Sequence, residues 1–145
     1  MGARYVNKAV TQAAAYLAAN LPGKLRAVET ELGLDADSLT DPVEVVSNRV
    51  PFDNRSPLLE VFEEGWTWTD QANRMLSVDL TIALSYVSDS DLGAGEQFMR
   101  RYITALIDTI HADQTLGGTV TAAILTDGSS AVARGDSSAS RFVYT

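Results

Sequence analysis

The sequence predicts an α+β domain, with helices packed on one face of a mainly antiparallel sheet of four to five strands. Apolar residues recur every three or four positions near the N-terminus and again in residues 99–110, which is the spacing of amphipathic helices. Between these stretches, residues 74–87 alternate between apolar and polar side chains, which is the period of a strand with one dry face. Because the predicted strands are grouped rather than alternating with helices, an α+β arrangement is favoured over a parallel α/β sheet.

The chain is long enough for a single domain over residues 1–145 with one hydrophobic core. Of its 145 residues, 46% are hydrophobic and 21% are charged, which is the balance of folded soluble proteins. No apolar stretch approaches the ~20 residues that cross a bilayer, and the N-terminus lacks the hydrophobic block of a signal peptide. We therefore expect a soluble protein with no membrane contact and no export by that route.

Cysteine content and charge exclude further classes of function. The chain has no cysteine, which rules out disulfides, thiolate nucleophiles and thiolate metal sites. It has 11 basic and 19 acidic residues, for a net charge of -8. Because phosphate binding depends on lysine and arginine, binding in a DNA or RNA groove is not expected.

Residues 1–34 are predicted to be helical. Pro22 suits the first turn of a new helix, where its missing N–H costs nothing, and Gly33 suits a helix end. The sequence thus predicts two helices, with a kink or tight turn after Asn20. The apolar stripe of the first helix would be Val6, Val10, Ala13, Leu17 and Leu21.

Three strands are predicted next, after a polar turn over residues 35–41. Residues 43–50 are rich in β-branched side chains, and residues 58–64 lie between a proline and a glycine. The third strand, residues 74–87, has the clearest alternation. Its apolar face would carry Leu76, Val78, Leu80, Ile82, Leu84 and Tyr86.

The C-terminal half begins with a polar turn over residues 88–95. A helix, a Gly-Gly turn and a strand at 120–124 are then predicted. Residues 127–140 are mostly Gly, Ser, Ala and Asp and would form a mobile arm or a long hairpin tip, before a short last strand at 141–145. The stripe of this helix would be Met99, Ile103, Leu106 and Ile110.

Signatures of a catalytic triad are weak. His111 is the only histidine, so a Ser-His-Asp triad would need it together with Asp108 or Asp113. No G-x-S-x-G motif supports such a site. A histidine near the end of an amphipathic helix more often lies at the surface or interacts with the helix dipole.

Other candidate reactive groups have simpler interpretations. Glu60, Glu63 and Glu64 could pair as acid and base, but exposed carboxylates on a strand are the default. Residues 134–136 spell Arg-Gly-Asp, which in a Gly/Ser-rich segment without a secretion signal favours a chance turn. We expect no catalytic residues and no enzyme activity.

Metal and nucleotide sites are not predicted either. Asp89 and Asp91 resemble the start of a calcium loop, but Arg100 stands where that loop needs a glutamate. The aspartates of residues 35–41 fail similarly and suit turns and caps. Residues 93–95 lack the third glycine and the βαβ context of a dinucleotide loop, and no G-K-[ST] occurs. We expect no metal and no cofactor.

Two tryptophans stand out in an otherwise polar stretch. Trp66 and Trp68 lie between two predicted strands. They are therefore either the inner end of a hairpin folded onto this chain's own core or aromatic anchors for another subunit. Phe52, in a predicted turn, poses the same question. The pattern points to protein contacts rather than catalysis.

The order of the elements and several short stretches occur together in one known family. After the N-terminal helical region, these stretches are Pro-Leu-Leu-Glu-Val at 57–61, the alternating strand at 74–87, Phe-Met-Arg-Arg-Tyr-Ile-Thr-Ala-Leu at 98–106 and Thr-Leu-Gly-Gly-Thr-Val at 115–120. In this layout the chain resembles the tail-terminator (tail-completion) proteins of long-tailed bacteriophages. The resemblance covers most of the chain and rests on layout rather than on a catalytic signature.

The resemblance implies a structural subunit without an active site. Such subunits form a ring, expected to be a hexamer, on the finished tail tube, stop its polymerisation and join it to the head connector. The implied partners are further copies of the chain, the tail-tube protein and the head-connector or stopper protein, in the neck of the virion and in the host cytoplasm during assembly. DNA would pass through the lumen without specific binding, which a net charge of -8 favours.

Candidate contact residues follow from the unusual aromatic and basic positions. Residues 127–140 are a further candidate, since flexible segments often order on assembly. The candidate interface with neighbouring subunits or the tail tube comprises Phe52, Trp66, Trp68, Arg74, Arg134 and Arg141.

Two alternatives remain open at this point. Another neck component, such as a head-completion or stopper protein, would share these features and differ by its location in the particle. A small α+β enzyme or ligand-binding domain would instead use carboxylates and His111.

Overall fold

The computed structural model describes residues 2–48, 56–70, 75–88, 92–116, 128–133 and 138–144. Within these ranges the order is one helix, three strands, a second helix and two strands. Their bounds are α1 Gly2–Leu32, β1 Glu44–Val46, β2 Leu58–Asp70, β3 Met75–Ser88, α2 Leu92–Ala112, β4 Gly128–Ala133 and β5 Ser138–Tyr144. The α+β class predicted from the sequence is confirmed.

The N-terminal region is one helix, not two. The prediction of a break after Asn20 is wrong, because α1 continues through Pro22. A proline inside a helix costs about 3 kcal/mol. Leu17, Leu21 and Leu25 lie on one face across this proline and are completely or almost completely buried. Burying each leucine contributes about 1.5–3 kcal/mol, so the continuous apolar stripe outweighs the proline.

The end of α1 at Gly33 agrees with the prediction. Gly33 has a positive φ of 68°, a conformation that residues with a Cβ rarely adopt. Its N–H donates to the Thr30 carbonyl (3.2 Å), and the Leu34 N–H donates to the Glu29 carbonyl (2.8 Å). These two bonds form a Schellman cap and turn the chain back along the helix.

The strands form one mixed sheet in the order β1-β2-β3-β5-β4. β1 runs parallel to β2, and the other three pairings are antiparallel. β1 covers only part of the strand predicted at 43–50, whose last two residues lie outside the described ranges. β2 does not stop at Gly65 as predicted but continues to Asp70, because its pairing with β3 resumes after an irregularity.

Both helices contribute to one hydrophobic core on one face of β2 and β3. Tyr86 of β3 stacks on Phe98 of α2 with ring centroids 4.0 Å apart, and the Tyr16 hydroxyl of α1 donates to the Thr109 carbonyl of α2 (2.9 Å). The buried members of this core from the sheet and α2 are Leu59, Val61, Leu84, Met99, Tyr102, Ala105, Leu106 and Ile110.

The second helix begins earlier than expected. The polar turn predicted at 88–95 is wrong in its second half, since α2 begins at Leu92 and includes Gly93 and Gly95. A glycine in a helix costs only about 1 kcal/mol, and the next turn places Phe98 on Tyr86. Neither helix, over the described residues, is long and apolar enough to cross a membrane.

The C-terminal strands pair with each other and extend the sheet. β4 and β5 are antiparallel, and β5 also pairs with β3. β5 starts at Ser138, three residues before the strand predicted at 141–145. The strand predicted at 120–124 and residues 134–137 of the expected arm lie outside the described residues.

Candidate protein interface on the β2–β3 hairpin

An irregularity in β2 determines which way its tryptophans face. In the first half of the hairpin, Val61 pairs with Ile82 on the face that packs on the helices. The register shifts between Glu63 and Gly65, as in a β-bulge. One extra residue changes the side-chain parity of a strand. Trp66 therefore lies on the same face as Val61 although the two are an odd number of positions apart.

After the shift, both tryptophans lie opposite apolar residues of β3. Trp66 pairs with Val78, and Trp68 pairs with Leu76. They are nevertheless exposed, with 52% and 36% of their surface accessible, and neither belongs to the hydrophobic core. Of the two interpretations of these tryptophans, this exposure favours anchors for another molecule.

A groove of about 450 Å³ lies beside Trp66. It is bounded by the N-terminal half of α1, the residues after β1 and the β2 irregularity. Its apolar lining is Val6, Val10, Phe62 and Trp66. Its polar lining is Asn7, Ser47, Asn48 and Glu63.

The hairpin strands are acidic. Their residues include five carboxylates and no lysine or arginine, at Glu60, Glu63, Glu64, Asp70 and Asp79. Glu63 and Glu64 are exposed, as predicted. Glu60 is not, because it lies buried on the sheet face opposite the core cluster, beside its pairing partner Ala83.

Of the other predicted interface residues, the structure describes only Arg141. Phe52, Arg74 and Arg134 lie outside the described residues. Arg141 lies in β5 opposite Ser85 of β3, seven residues along that strand from the partner of Trp66. At ~3.3 Å per residue, the positions of Arg141 and Trp66 are roughly 23 Å apart along the strand direction.

A second constellation surrounds Arg26, near the end of α1. Its Nε lies 2.8 Å from Glu29 Oε1, and its Nη1 lies 2.9 Å from Asp37 Oδ1 and 3.3 Å from Asp41 Oδ1. Its Nη2 also donates to the Leu39 carbonyl. The Leu39 N–H in turn donates to Glu29 Oε2 at 2.8 Å. This network fastens the loop after α1 against the helix.

The Glu29 carboxylate is the buried member of this network. Its side chain is only 4% exposed. Burial acts to raise the pKa of Glu29, but the Leu39 hydrogen bond and the Arg26 charge outweigh it and hold the pKa below its ordinary value of 4.5. Asp37, Asp41 and Glu29 therefore hold the loop after α1 against the helix, which agrees with the turn roles predicted for the aspartates of residues 35–41.

The Tyr102 hydroxyl is buried close to this network. It has no hydrogen-bond partner in the part of the chain that the structure describes. Burial raises the pKa of Tyr102 strongly, with a further contribution from the Asp41 charge. The Tyr102 ring therefore contributes hydrophobic packing, and its hydroxyl does not take part in proton transfer near neutral pH.

The remaining candidate reactive groups are dispersed. His111 is exposed in the last turn of α2, and Asp89 and Asp91 lie outside the described ranges. Across the residues that are described, no group of three His, Cys, Asp or Glu side chains is arranged to hold a metal ion.

Comparison of the sequence with known proteins identified no relative. The chain matches no protein-family model and no curated protein.

Sequence reasoning found the tryptophans but missed the groove and the Arg26 network. Val6 and Val10 were expected only in the core stripe, and they are buried but also line the groove. The i,i+3 spacing of Arg26 and Glu29 was a usable signal for an ion pair. Gly65, inside β2, was the local signal for the register shift that places Glu63 and Trp66 on one face, although a glycine also fits the strand end that was predicted there.

Proposed function

We propose that this chain is a structural virion protein, a ring-forming tail terminator of a long-tailed bacteriophage. In this proposal it caps the tail tube, stops its polymerisation and joins it to the head connector while DNA passes through. In this proposal the subunit has a mainly antiparallel sheet of four to five strands with the helices on one face. The protein acts through its surfaces and has no active site.

The observation that carries the proposal is the exposed face around Trp66 and Trp68. Large aromatic side chains on an exposed sheet face, next to a groove, are typical of a surface that another protein covers. The net charge of -8 supports the conduit role as well, because carboxylates repel the phosphates of passing DNA. The layout resemblance supplies the type of assembly.

The genetic test is deletion of the gene from the phage or prophage that encodes it. Loss of a terminator predicts tails of uncontrolled length that do not join to filled heads. Normal particles would contradict the proposal. Tails of normal length beside leaking heads would instead identify a head-completion or stopper protein.

A matched pair of variants tests whether the exposed face around Trp66 and Trp68 is an assembly surface. The double variant Trp66→Ala/Trp68→Ala is expected to fold, since both side chains are largely outside the core, and to fail to restore head–tail joining to the deletion strain. Leu32→Ala is the control, because Leu32 is also a large exposed apolar residue but lies at the end of α1. Equal restoration by both variants would count against the hairpin as an assembly surface.

A further inference from the structure

The groove beside Trp66 combines three features that suit a long cationic side chain. Its apolar lining from Val6 and Val10 can pack against an aliphatic stem. Trp66 presents an aromatic ring that is half exposed, and such rings attract guanidinium and ammonium groups. Glu63 supplies a carboxylate on the same side of the strand.

Glu63 presents an exposed carboxylate beside the groove. Its side chain is exposed, and it makes no hydrogen bond or ion pair to any residue the structure describes. The register shift after Glu63 leaves it beside Trp66 on one face rather than on the opposite one. A carboxylate next to an aromatic face is the arrangement that distinguishes arginine from a neutral side chain of equal length.

Charge determines what kind of molecule provides this side chain. Among the residues that line the groove, Glu63 is the one charged side chain, and the net charge of -8 disfavours nucleic acids and anionic membranes as partners. A second copy carries a net charge of -8 itself. A basic segment of a different protein is the complementary occupant.

We propose that the groove binds an arginine side chain from a basic segment of a partner protein. The stem lies along Val6 and Val10, and the guanidinium lies between the Trp66 ring and the Glu63 carboxylate. The inference rests on the proposed function only in treating Trp66 as part of an interface with another protein. At about 450 Å³, the groove accommodates one such side chain together with part of its backbone.

The probe is the blocked pentapeptide Ala-Ala-Arg-Ala-Ala, titrated into the intact chain at low salt. NMR is expected to show saturable shifts at the Trp66 indole N–H and at the Val6 and Val10 methyl groups. The same peptide with citrulline in place of arginine keeps the shape without the charge. It is expected to bind roughly tenfold more weakly.

Two substitutions and one control complete the test. Glu63→Gln and Trp66→Leu are each expected to weaken binding roughly five- to thirtyfold. Trp66→Phe, which keeps an aromatic face, recovers part of the loss. Glu31→Gln makes the same change in net charge on an exposed part of α1 and leaves binding unchanged.

Several results would overturn the inference. These are equal binding of the arginine and citrulline peptides, shifts that map away from the groove, or full binding by Glu63→Gln. Self-association of the chain that depends on Trp66 and Glu63 would place a second copy in the groove and exclude the occupant proposed here. Failed peptide binding with intact ring formation would remove this inference alone, whereas peptide binding without any ring would remove the proposed function alone.

Discussion

Replacing Glu29 by glutamine tests how the loop after α1 is held. The Glu29 side chain is 4% exposed, accepts a hydrogen bond from the Leu39 N–H at 2.8 Å and forms an ion pair with Arg26, whose Nε lies 2.8 Å from Oε1. Glutamine keeps the shape but removes the charge. Breaking a buried ion pair costs about 3–5 kcal/mol, and hydrogen bonds to charged groups contribute about 1.5–3 kcal/mol. Arg26 is 36% exposed and retains its ion pairs with Asp37 and Asp41 in the variant. We therefore expect the free energy of unfolding to fall by about 2 kcal/mol.

Urea denaturation followed by circular dichroism measures this loss, and thermal unfolding should show Tm lowered by roughly 4–8 °C. Because the pKa of Glu29 lies below its ordinary value in the folded chain, the unfolded chain binds more protons as the pH falls. The stabilisation is therefore present at neutral pH and disappears as the pH drops below about 4.5. The stabilities of the wild type and Glu29→Gln should therefore approach each other as the pH falls from 4.5 and converge below the lowered pKa of folded Glu29.

The control for this prediction is Glu31→Gln, two residues away. Glu31 is exposed, so its replacement should change the free energy of unfolding by less than about 0.5 kcal/mol. A Glu29→Gln loss no larger than that of the control, or one independent of pH, would refute the reasoning.

Two further stability predictions follow from single residues. Tyr102→Phe removes a buried hydroxyl without a described partner, so it should be neutral or stabilise the fold by about 1 kcal/mol in urea denaturation. Because burial raises the pKa of Tyr102, the wild type should also lose stability above about pH 10 relative to this variant. A Tyr102→Phe variant that is less stable than the wild type would instead indicate that the hydroxyl has a hydrogen-bond partner. Gly33→Ala should destabilise by about 1–2 kcal/mol because φ is 68°, whereas Gly23→Ala, inside α1 with open space around the new Cβ, should stabilise by about 0.5–1 kcal/mol. Equal effects of the two alanines in thermal unfolding would contradict this account of the α1 cap.

Periodicity in the sequence was enough to predict the helical stripes and the longest strand. The apolar side chains of β3 and α2 repeat at the spacing of their secondary structure, and the core uses these same residues. The end of α1 was predictable because only glycine readily adopts the conformation of Gly33. These features depend on residues close together in the chain.

What escaped prediction depends on tertiary contacts. Pro22 signals a helix start locally, but the core on both sides of it keeps α1 continuous. The β2 irregularity is visible only through its pairing with β3, and it decides that Trp66 and Glu63 face the same way. The burial of Glu60 likewise depends on what covers the opposite face of the sheet.

The most direct test of the central claim is the solution mass of the purified chain by light scattering over a concentration series. Negative-stain images of the large species would accompany it, for the chain alone and for the chain mixed with the tail-tube protein of the same phage. The proposed function predicts a closed ring of about six copies with a central channel. A monomer or dimer at every concentration, both alone and with the tail-tube protein, would contradict it.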